Sequence, residues 1–486
     1  MKKEIEVIET EKEVKDIKNQ CPNCGARELH YDIKLKKITC SFCNSTFEGK
    51  ELNIDNDIEK LDKEKIGSGA KDIDKNFKDI ITYRCPGCGA EVIINTKEST
   101  QAKCHWCQGI LTINERIENG TVPDAILPFT LTKEEAMNLI EQYLSNKKFF
   151  ADKTFKDNFK SDNTQGIYFP YLLHDVNAHC IFIGTAEEET RRYEEEDTFD
   201  KEKKTTYYDA NVYDISREFD IAIDDLTIET IYNNKTEDNQ ITDNIINAIL
   251  PFDTKNCITF ESKYLVGYHS ENRNLNIKDM KNKLNEEVRD IARNNIKNTL
   301  KKYDRGVNWT TEEVQTKGTQ SITAYLPIWL YSYQEVKNNK KVLHYIAVNG
   351  RTKKVVGSIP INKPKLIITS SLLGVPGTIF LINNIIDVRS TIGFSSILMT
   401  NGVFIILLII LPVLLFYNIK YNKYSNKNAR HYYEKETKNE ISNMQMKDKY
   451  IKERTRLTSS SILGENSNRV KGIYTKIDNQ DEQSED

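Results

Sequence analysis

Residues 21–43 read CPNCGARELHYDIKLKKITCSFC, and residues 85–107 read CPGCGAEVIINTKESTQAKCHWC. In both stretches a Cys-x-x-Cys pair is followed by fifteen residues and then by a second pair, so the spacing is an internal repeat. Each repeat supplies four thiol groups, which as thiolates form the ligand set of a tetrahedral structural Zn²⁺ site. The predicted metal ligands are Cys21, Cys24, Cys40, Cys43, Cys85, Cys88, Cys104 and Cys107.

The residues around the cysteines predict a small β-sheet at each site. Pro22 sets φ at the start of the first knuckle, and Gly25 follows its second cysteine, where a positive φ is most useful. Between the cysteine pairs, β-branched and aromatic residues alternate with polar ones, as they do in strands. We therefore predict two small β zinc ribbons, over residues 16–50 and 81–118.

A complete set of four cysteines leaves no coordination position for water or substrate, so the spacing favours a structural metal over a catalytic one. His105 lies inside the last knuckle, where we expect it only to pack or to form hydrogen bonds. Metal binding and folding are one event in such small domains, so replacing Cys24 or Cys88 by serine is expected to unfold the affected ribbon only. The chain has no HExxH, GxSxG, Walker A or Rossmann glycine pattern, and we predict no enzymatic activity.

Nucleic-acid binding is the main alternative function, because many zinc ribbons bind DNA or RNA. Residues 16–50 contain six Lys or Arg and four Asp or Glu, residues 81–118 contain four of each, and the whole chain has a formal net charge of −3. Contacts to phosphates need a net basic surface for counterion release. The charge balance therefore favours a protein partner and leaves nucleic-acid binding open.

The ribbons are followed by a larger folded region. Residues 51–80, rich in Asp, Lys and Asn around a Gly-Ser-Gly sequence, predict a flexible charged linker. Residues 119–362 combine aromatic, β-branched stretches with two helical patterns, and they predict a β-rich α+β cytoplasmic body. One helix, with capping-box spacing at its start, is predicted over 132–146, and a longer one over about 275–303.

Three features of the body have local interpretations. His174 and His179 are five residues apart, which on a strand places them on opposite faces and argues against a shared metal. The acidic stretch at 187–197 is interpreted as a solvated loop. Asn349–Gly350 lies between two apolar runs and predicts the turn of a β-hairpin.

Two apolar runs, over residues 366–386 and 395–417, predict a C-terminal hairpin of two transmembrane helices. Lysines and arginines flank the hairpin on both sides, so an even number of spans would place both termini in the cytoplasm at the cell membrane. The first eighteen residues contain no apolar signal-peptide region, and reduced cysteines agree with a cytoplasmic site. Residues 418–486 predict a polar tail, partly disordered, with a helix over 430–456, and membrane lipid is a predicted partner.

The order of these parts resembles a group of bacterial membrane proteins described as containing a transcription-factor-IIB-type zinc ribbon. The resemblance rests on the CPxCG pairs, on LPIWLYSY at 326–333, on NGRTKKVVGSIP at 349–360 and on the terminal apolar runs. It covers most of residues 20–417, whereas the second ribbon and the long tail depart from the usual pattern. It implies a membrane anchor similar to those encoded beside flotillin-like (SPFH) and phage-shock-like proteins, with the eight cysteines as the functional positions.

The predicted fold class is therefore multidomain: two small β zinc ribbons, a β-rich α+β body and a C-terminal two-helix transmembrane hairpin. The predicted function is that of a non-enzymatic, cytoplasm-facing anchor or adaptor that recruits a protein partner to the membrane. A membrane-tethered zinc-ribbon protein that binds nucleic acid is the alternative.

Overall fold

In a computed structural model of the protein, the described residues are rich in β-strands and contain few helices. The structure describes residues 5–8, 20–26, 28–52, 54, 56–67, 80–86, 90–95, 102–107, 110–111, 116–117, 123–196, 204–231, 247–273, 275–337, 340–372, 402–425 and 437–465.

The described strands form one large sheet and two small ones, and they are numbered here along the chain. Their bounds are β1 Ile5–Ile8, β2 Leu29–Asp32, β3 Lys37–Cys40, β4 Thr46–Phe47, β5 Glu64–Gly67, β6 Ile80–Arg84, β7 Glu91–Asn95, β8 Ala102–Lys103, β9 Ile110–Leu111, β10 Arg116–Ile117, β11 Ala125–Ile126, β12 Gln165–Glu196, β13 Lys204–Glu229, β14 Ile258–Thr259, β15 His269–Glu271, β16 Val307–Lys337, β17 Lys340–Asn349, β18 Val355–Gly357 and β19 Lys438–Leu457.

The helices lie between and after these strands. Their bounds are α1 Lys133–Ser145, α2 Lys153–Asn158, α3 Ile277–Ile296, α4 363–372, α5 Gly402–Ser425 and α6 Ile462–Glu465. The predicted first helix is confirmed, including its capping box, since Thr132 accepts from the backbone N–H of Glu135 and the Glu135 carboxylate accepts from the backbone N–H of Thr132. The predicted long helix is also confirmed, and it continues as a 3-10 turn over Lys297–Leu300.

Four long antiparallel strands, in the order β19–β13–β12–β16, dominate the large sheet, and we call them the blade. Cys180 of β12 lies between Phe219 of β13 and Val314 of β16. Met280 and Leu284, on the apolar side of α3, belong to the same core. The apolar side chains that alternate along the strands pack against those that recur every three to four residues along α3. They do so because each element must bury its apolar face against another.

The hairpin of β17 and β18 confirms the predicted turn at Asn349–Gly350. Val348 pairs with Val355 across it. The side-chain oxygen of Asn349 accepts hydrogen bonds from the backbone N–H groups of Arg351 and Thr352, both at 2.9 Å. This is an Asx-turn, in which the side chain replaces a backbone acceptor.

Part of the predicted linker is docked on the large sheet. β5 runs parallel to β16, with Glu64 opposite Thr319. Leu61 is buried, and its carbonyl accepts a hydrogen bond of 3.0 Å from the side chain of Asn177. This part of the segment is therefore packed on the blade and is not the free tether that we predicted, whereas residues 68–79 lie outside the described part of the chain.

The interpretation of the acidic stretch as a solvated loop is wrong. β12 continues through it to Glu196, and its partner β13 pairs with it along the whole length. Glu187, the first residue of the stretch, is fully buried because its carboxylate pairs with Arg305 and Arg454. The charge pattern alone gave no sign of these partners, which lie more than a hundred residues away in sequence.

The prediction of a two-helix transmembrane hairpin is also wrong. Across the ranges described above, every helix is too short or too polar to cross a membrane. The last turns of α5 contain Asn418, Lys420 and Lys423. Tyr424 of α5 is buried with Phe150 and Leu366 against the body, so this end of the helix is a packing element. The predicted placement in the cell membrane, with two spans and cytoplasmic termini, depended on this hairpin and is therefore not supported either. Residues 373–401 lie outside the described part of the chain.

The helix that we predicted over 430–456 is a strand from Lys438 onward, and residues 430–436 lie outside the described part of the chain. β19 pairs antiparallel with β13, with Tyr450 opposite Tyr213. A bidentate ion pair between Arg217 of β13 and Asp448 of β19 holds the two strands together. The helical prediction failed because this segment completes its backbone hydrogen bonds on a distant strand, which a local pattern does not reveal. Residues 466–486 lie outside the described part of the chain.

Candidate metal centres

Ribbon 1, the three-stranded sheet of β2, β3 and β4 with its two knuckles, brings Cys21, Cys24, Cys40 and Cys43 together. The four sulfur atoms lie within 4.8 Å of one another, including 3.5 Å between Cys21 and Cys43 and 3.7 Å between Cys24 and Cys40. Gly25 closes the first knuckle with φ +71°, and its N–H donates to the carbonyl of Cys21 at 2.8 Å. The predicted ligands of this ribbon therefore form a cluster that could hold a metal ion.

One of these thiols is prepared for ligation by its neighbour. The Sγ of Cys43 lies 3.2 Å from the hydroxyl of Ser45. Hydrogen bonding from Ser45 to the sulfur lowers the pKa of Cys43 to about 6. Because the thiolate is the form that binds metals, this contact favours a ligand that is already deprotonated near neutral pH.

Ribbon 2, the region of β6 to β9, brings Cys85, Cys104 and Cys107 together in the same way. The sulfur atoms of Cys85 and Cys107 are 3.4 Å apart. Cys88, the fourth predicted ligand, lies outside the described part of the chain. The three described cysteines alone form a cluster that could hold a metal ion.

Ribbon 2 is built into the body. β7 pairs with β15, with Val92 opposite Glu271. The buried carboxylate of Glu271 accepts a hydrogen bond of 3.0 Å from the indole N–H of Trp106, and it lies 2.6 Å from Nε2 of His105. The carbonyl of His105 in turn accepts from the hydroxyl of Ser332 at 2.8 Å. The expectation that His105 packs and hydrogen-bonds is confirmed.

Sequence reasoning missed Glu271. It follows His105 by 166 residues, in a stretch without a motif, so no local signal could have connected the two. Its role here is to hold the last knuckle of ribbon 2, which contains two cysteines of the cluster. A carboxylate that fixes the residues around a metal site also limits their movement.

The two ribbons differ at one equivalent position. The last knuckle reads CSFC in ribbon 1 and CHWC in ribbon 2, so Phe42 corresponds to Trp106. Trp106 is 7% exposed and makes edge-on contacts with Tyr345 and Phe169, with ring centroids 4.9 and 5.5 Å apart. Phe42 is 77% exposed. The body therefore covers the knuckle of ribbon 2, whereas it leaves the knuckle of ribbon 1 in solvent.

The two histidines of β12 have separate partners. Nδ1 of His174 lies 2.8 Å from the hydroxyl of Ser321, and burial lowers the pKa of His174 to about 4. Nδ1 of His179 lies 2.9 Å from the carboxylate of Asp220. Each histidine is accounted for by a contact on a neighbouring strand.

A cluster of three carboxylates, one from β12 and two from β13, was not predicted from the sequence. Asp175, Asp224 and Asp225 have oxygen atoms within 4.8 Å of one another. The carboxylate of Asp175 accepts hydrogen bonds from the backbone N–H of Asp225 at 2.8 Å and from the side chain of Gln320 at 3.0 Å. Burial, together with the charge of Asp225, raises the pKa of Asp175 to about 7.

This raised pKa makes stability depend on pH. The folded state binds the proton of Asp175 more tightly than the unfolded state, so its contribution is full at low pH and is lost as the pH rises through about 7. We expect Asp175→Asn to be more stable than the wild type at pH 8, by on the order of 3 kcal/mol, and to lose that advantage by pH 4. Urea unfolding at the two pH values measures the difference.

The control for this prediction is Asp214→Asn, which changes an exposed aspartate of β13. Its free energy of unfolding should stay within about 0.5 kcal/mol of the wild type at both pH values. Equal pH profiles for Asp175→Asn and the wild type would contradict the assignment of a raised pKa to Asp175.

The chain is 27% identical over 378 residues to the uncharacterized protein YdjG of Bacillus subtilis (strain 168), an alignment that takes in 78% of this chain and 99% of YdjG. No protein-family model matches the chain, and no solved structure matches it. The similarity to YdjG extends well beyond the length of the two ribbons.

Proposed function

We propose that this protein is a non-enzymatic adaptor in which two structural Zn²⁺ sites, each with four cysteine ligands, stabilise the ribbons, and in which ribbon 1 binds a protein partner. The proposed ligands are the eight cysteines of the repeat. Ribbon 2 serves as a fixed part of the body, and ribbon 1 carries the contact surface.

The spacing of the sulfur atoms supports zinc. Four sulfur atoms at 2.3 Å from a central Zn²⁺ lie about 3.8 Å from one another. The distances of 3.5 and 3.7 Å in ribbon 1 and 3.4 Å in ribbon 2 need only a small expansion to reach this value. An all-cysteine set also selects a soft or borderline metal over Mg²⁺ or Ca²⁺.

The contrast between Phe42 and Trp106 carries the proposal of a protein partner. In ribbon 2 the aromatic side chain at this position of the knuckle binds to the body, since Trp106 fills an apolar site made by Phe169 and Tyr345. Phe42 presents the same kind of group without such a site. Leu35, in the turn between β2 and β3, is a second exposed apolar side chain of ribbon 1. Exposed aromatic anchors of this type contribute much of the binding energy at protein interfaces.

Replacing Phe42 by alanine tests this proposal. The full-length chain is used as bait in cell extracts, with flotillin-like and phage-shock-like proteins as the first candidates, and the recovered proteins are quantified. We expect a partner that the wild type retains and that Phe42→Ala loses by about 30-fold or more, as at an interface hot spot. Phe149→Ala, which removes another exposed phenylalanine, from the body, is the control and should retain the partner. Equal recovery with both variants would contradict a role for ribbon 1.

One observation supports nucleic-acid binding as the alternative function. Lys34 and Lys36 are exposed on either side of Leu35, although Lys37 is paired with Glu48 at 3.0 Å. Binding of a labelled DNA or RNA oligonucleotide that weakens steeply between 50 and 200 mM salt, as counterion release requires, and that Lys34→Glu abolishes would favour this function over the adaptor.

A further inference from the structure

β19 forms the end of the blade. In the described part of the chain β13 is its only strand partner, so its second edge has no neighbour there. Residues 445–453 are exposed on both faces of the sheet. The backbone N–H and C=O groups on that edge are directed to solvent at every second residue, and such an edge is a template for an additional strand.

The pairing of β19 with β13 fixes the position of this second edge. Tyr213 to Glu218 pair with Tyr450 to Gln445 in continuous register, and the register shifts lie on either side of this run. Arg217 is 1% exposed, and its guanidinium reaches both carboxylate oxygens of Asp448, at 2.5 and 3.2 Å. The exposed edge is therefore held in an extended conformation before any partner binds, which lowers the entropy cost of adding a strand.

The exposed charged side chains of residues 445–453 are three lysines and two acidic residues, Asp448 and Glu453, and three large apolar side chains lie among them. The lysines are Lys447, Lys449 and Lys452, while Arg217 neutralises the charge of Asp448. Met446, Tyr450 and Ile451 are large apolar side chains that are more than two-fifths exposed. Lysine on an edge strand discourages unspecific pairing, but protective edges do not usually expose three large apolar groups within six residues.

We propose that the free edge of β19 receives an extended, acidic segment of a partner protein, which adds to the blade as a further antiparallel or parallel strand. The backbone groups of residues 445–453 supply the hydrogen bonds and the three lysines select for acidic side chains, while Met446 and Tyr450, four residues apart on one face of the strand, contact apolar residues at alternate positions. This inference rests on the proposed adaptor function, because it assigns a second partner surface to the same protein, distinct from ribbon 1.

The test uses a fluorescein-labelled decapeptide of alternating glutamate and valine, with a decapeptide of alternating lysine and valine as the comparison. We expect the full-length chain to bind the acidic peptide at least about tenfold more tightly than the basic one in fluorescence anisotropy. The triple variant Lys447→Glu, Lys449→Glu and Lys452→Glu should lose this preference. Hydrogen exchange should show that the acidic peptide protects those backbone amides of residues 445–453 that are not bonded to β13.

The control is Lys153→Glu combined with Lys160→Glu, which reverses two exposed charges on another part of the body and should bind the acidic peptide as the wild type does. Phe42→Ala should also bind it normally, so a failure of the ribbon 1 proposal and a failure of this one give different results. Thermal unfolding of the triple variant verifies that its fold is kept, since the three lysines are exposed.

Four results would overturn the proposal. They are equal affinity for the two peptides, unchanged binding by the triple variant, self-association of the chain that the triple variant abolishes, and peptide binding that appears only after residues 466–486 are removed. The third result would identify a second copy as the occupant of the edge, and the fourth would identify the acidic end of the same chain.

Discussion

Cys104→Ser should lower the stability of the whole body by more than Cys40→Ser does, although ribbon 1 also packs on the body through Tyr31 and Tyr264. Both cysteines are fully buried and belong to equivalent clusters, so the two variants form a matched pair. Metal binding contributes about 10–16 kcal/mol of folding free energy in isolated zinc fingers. If ribbon 2 loses its metal, the knuckle that holds His105 and Trp106 against Glu271 loses its shape, and the core of the body is opened. We expect the free energy of global unfolding of Cys104→Ser to be lower than that of the wild type by at least about 4 kcal/mol.

Metal analysis and calorimetry measure this pair together. The wild type should contain about two Zn²⁺ per chain and each variant about one. The main unfolding transition should move to a markedly lower temperature in Cys104→Ser and should move less in Cys40→Ser. A full metal content in both variants, or equal shifts of the main transition, would contradict the assignment of different roles to the two ribbons.

Glu187→Ala should be the most destabilising change outside the cysteine clusters. The Glu187 carboxylate is fully buried and accepts from Nε of Arg305 at 3.0 Å and from Nη1 of Arg454 at 2.5 Å. Arg305 is itself buried, so removing the carboxylate takes away the buried anion that pairs with its guanidinium. Breaking a buried ion pair by deleting one partner typically costs about 3–5 kcal/mol. The same change also removes the carboxylate oxygen to which Nη1 of Arg454 donates.

Urea unfolding of Glu187→Ala and Glu195→Ala checks this expectation. Glu195 lies on the same strand and pairs with Arg456 of β19 at 2.7 Å, but both side chains of this pair are largely exposed. An exposed ion pair contributes only about 0.2–1 kcal/mol, so the control should be nearly as stable as the wild type. A similar, small loss of unfolding free energy in the two variants would contradict the role of Glu187 as the partner of a buried arginine.

Local chemistry explains which elements the sequence predicted correctly. The start of α1 follows from the Thr132 and Glu135 capping box, and the β17–β18 turn follows from Asn349–Gly350, because each signal lies within a few residues of the structure that it specifies. The clustering of the ribbon 1 cysteines is equally local, since two knuckles joined by a short hairpin hold all four sulfur atoms.

The errors concern elements whose structure depends on distant partners. The acidic stretch after Glu187 and the polar segment of β19 have no apolar alternation, yet both are strands because β13 lies between them and pairs with each. The apolar residues near the C-terminus predicted membrane-spanning helices, since hydropathy counts side chains and does not show how a helix ends or that Tyr424 packs on the body.

The sequence by itself determined the two cysteine repeats, the local turns and caps, and the predominance of strands. Only the tertiary structure decided that ribbon 2 is fixed to the body by Glu271 while Phe42 of ribbon 1 stays exposed, and that Glu187 is buried between two arginines. The physical reason is that a Cys-x-x-Cys knuckle closes on itself within a few residues, whereas the burial of a charge or an aromatic ring depends on which strands meet across a sheet. Strand alternation specifies a face but not a neighbour, so these contacts required the fold.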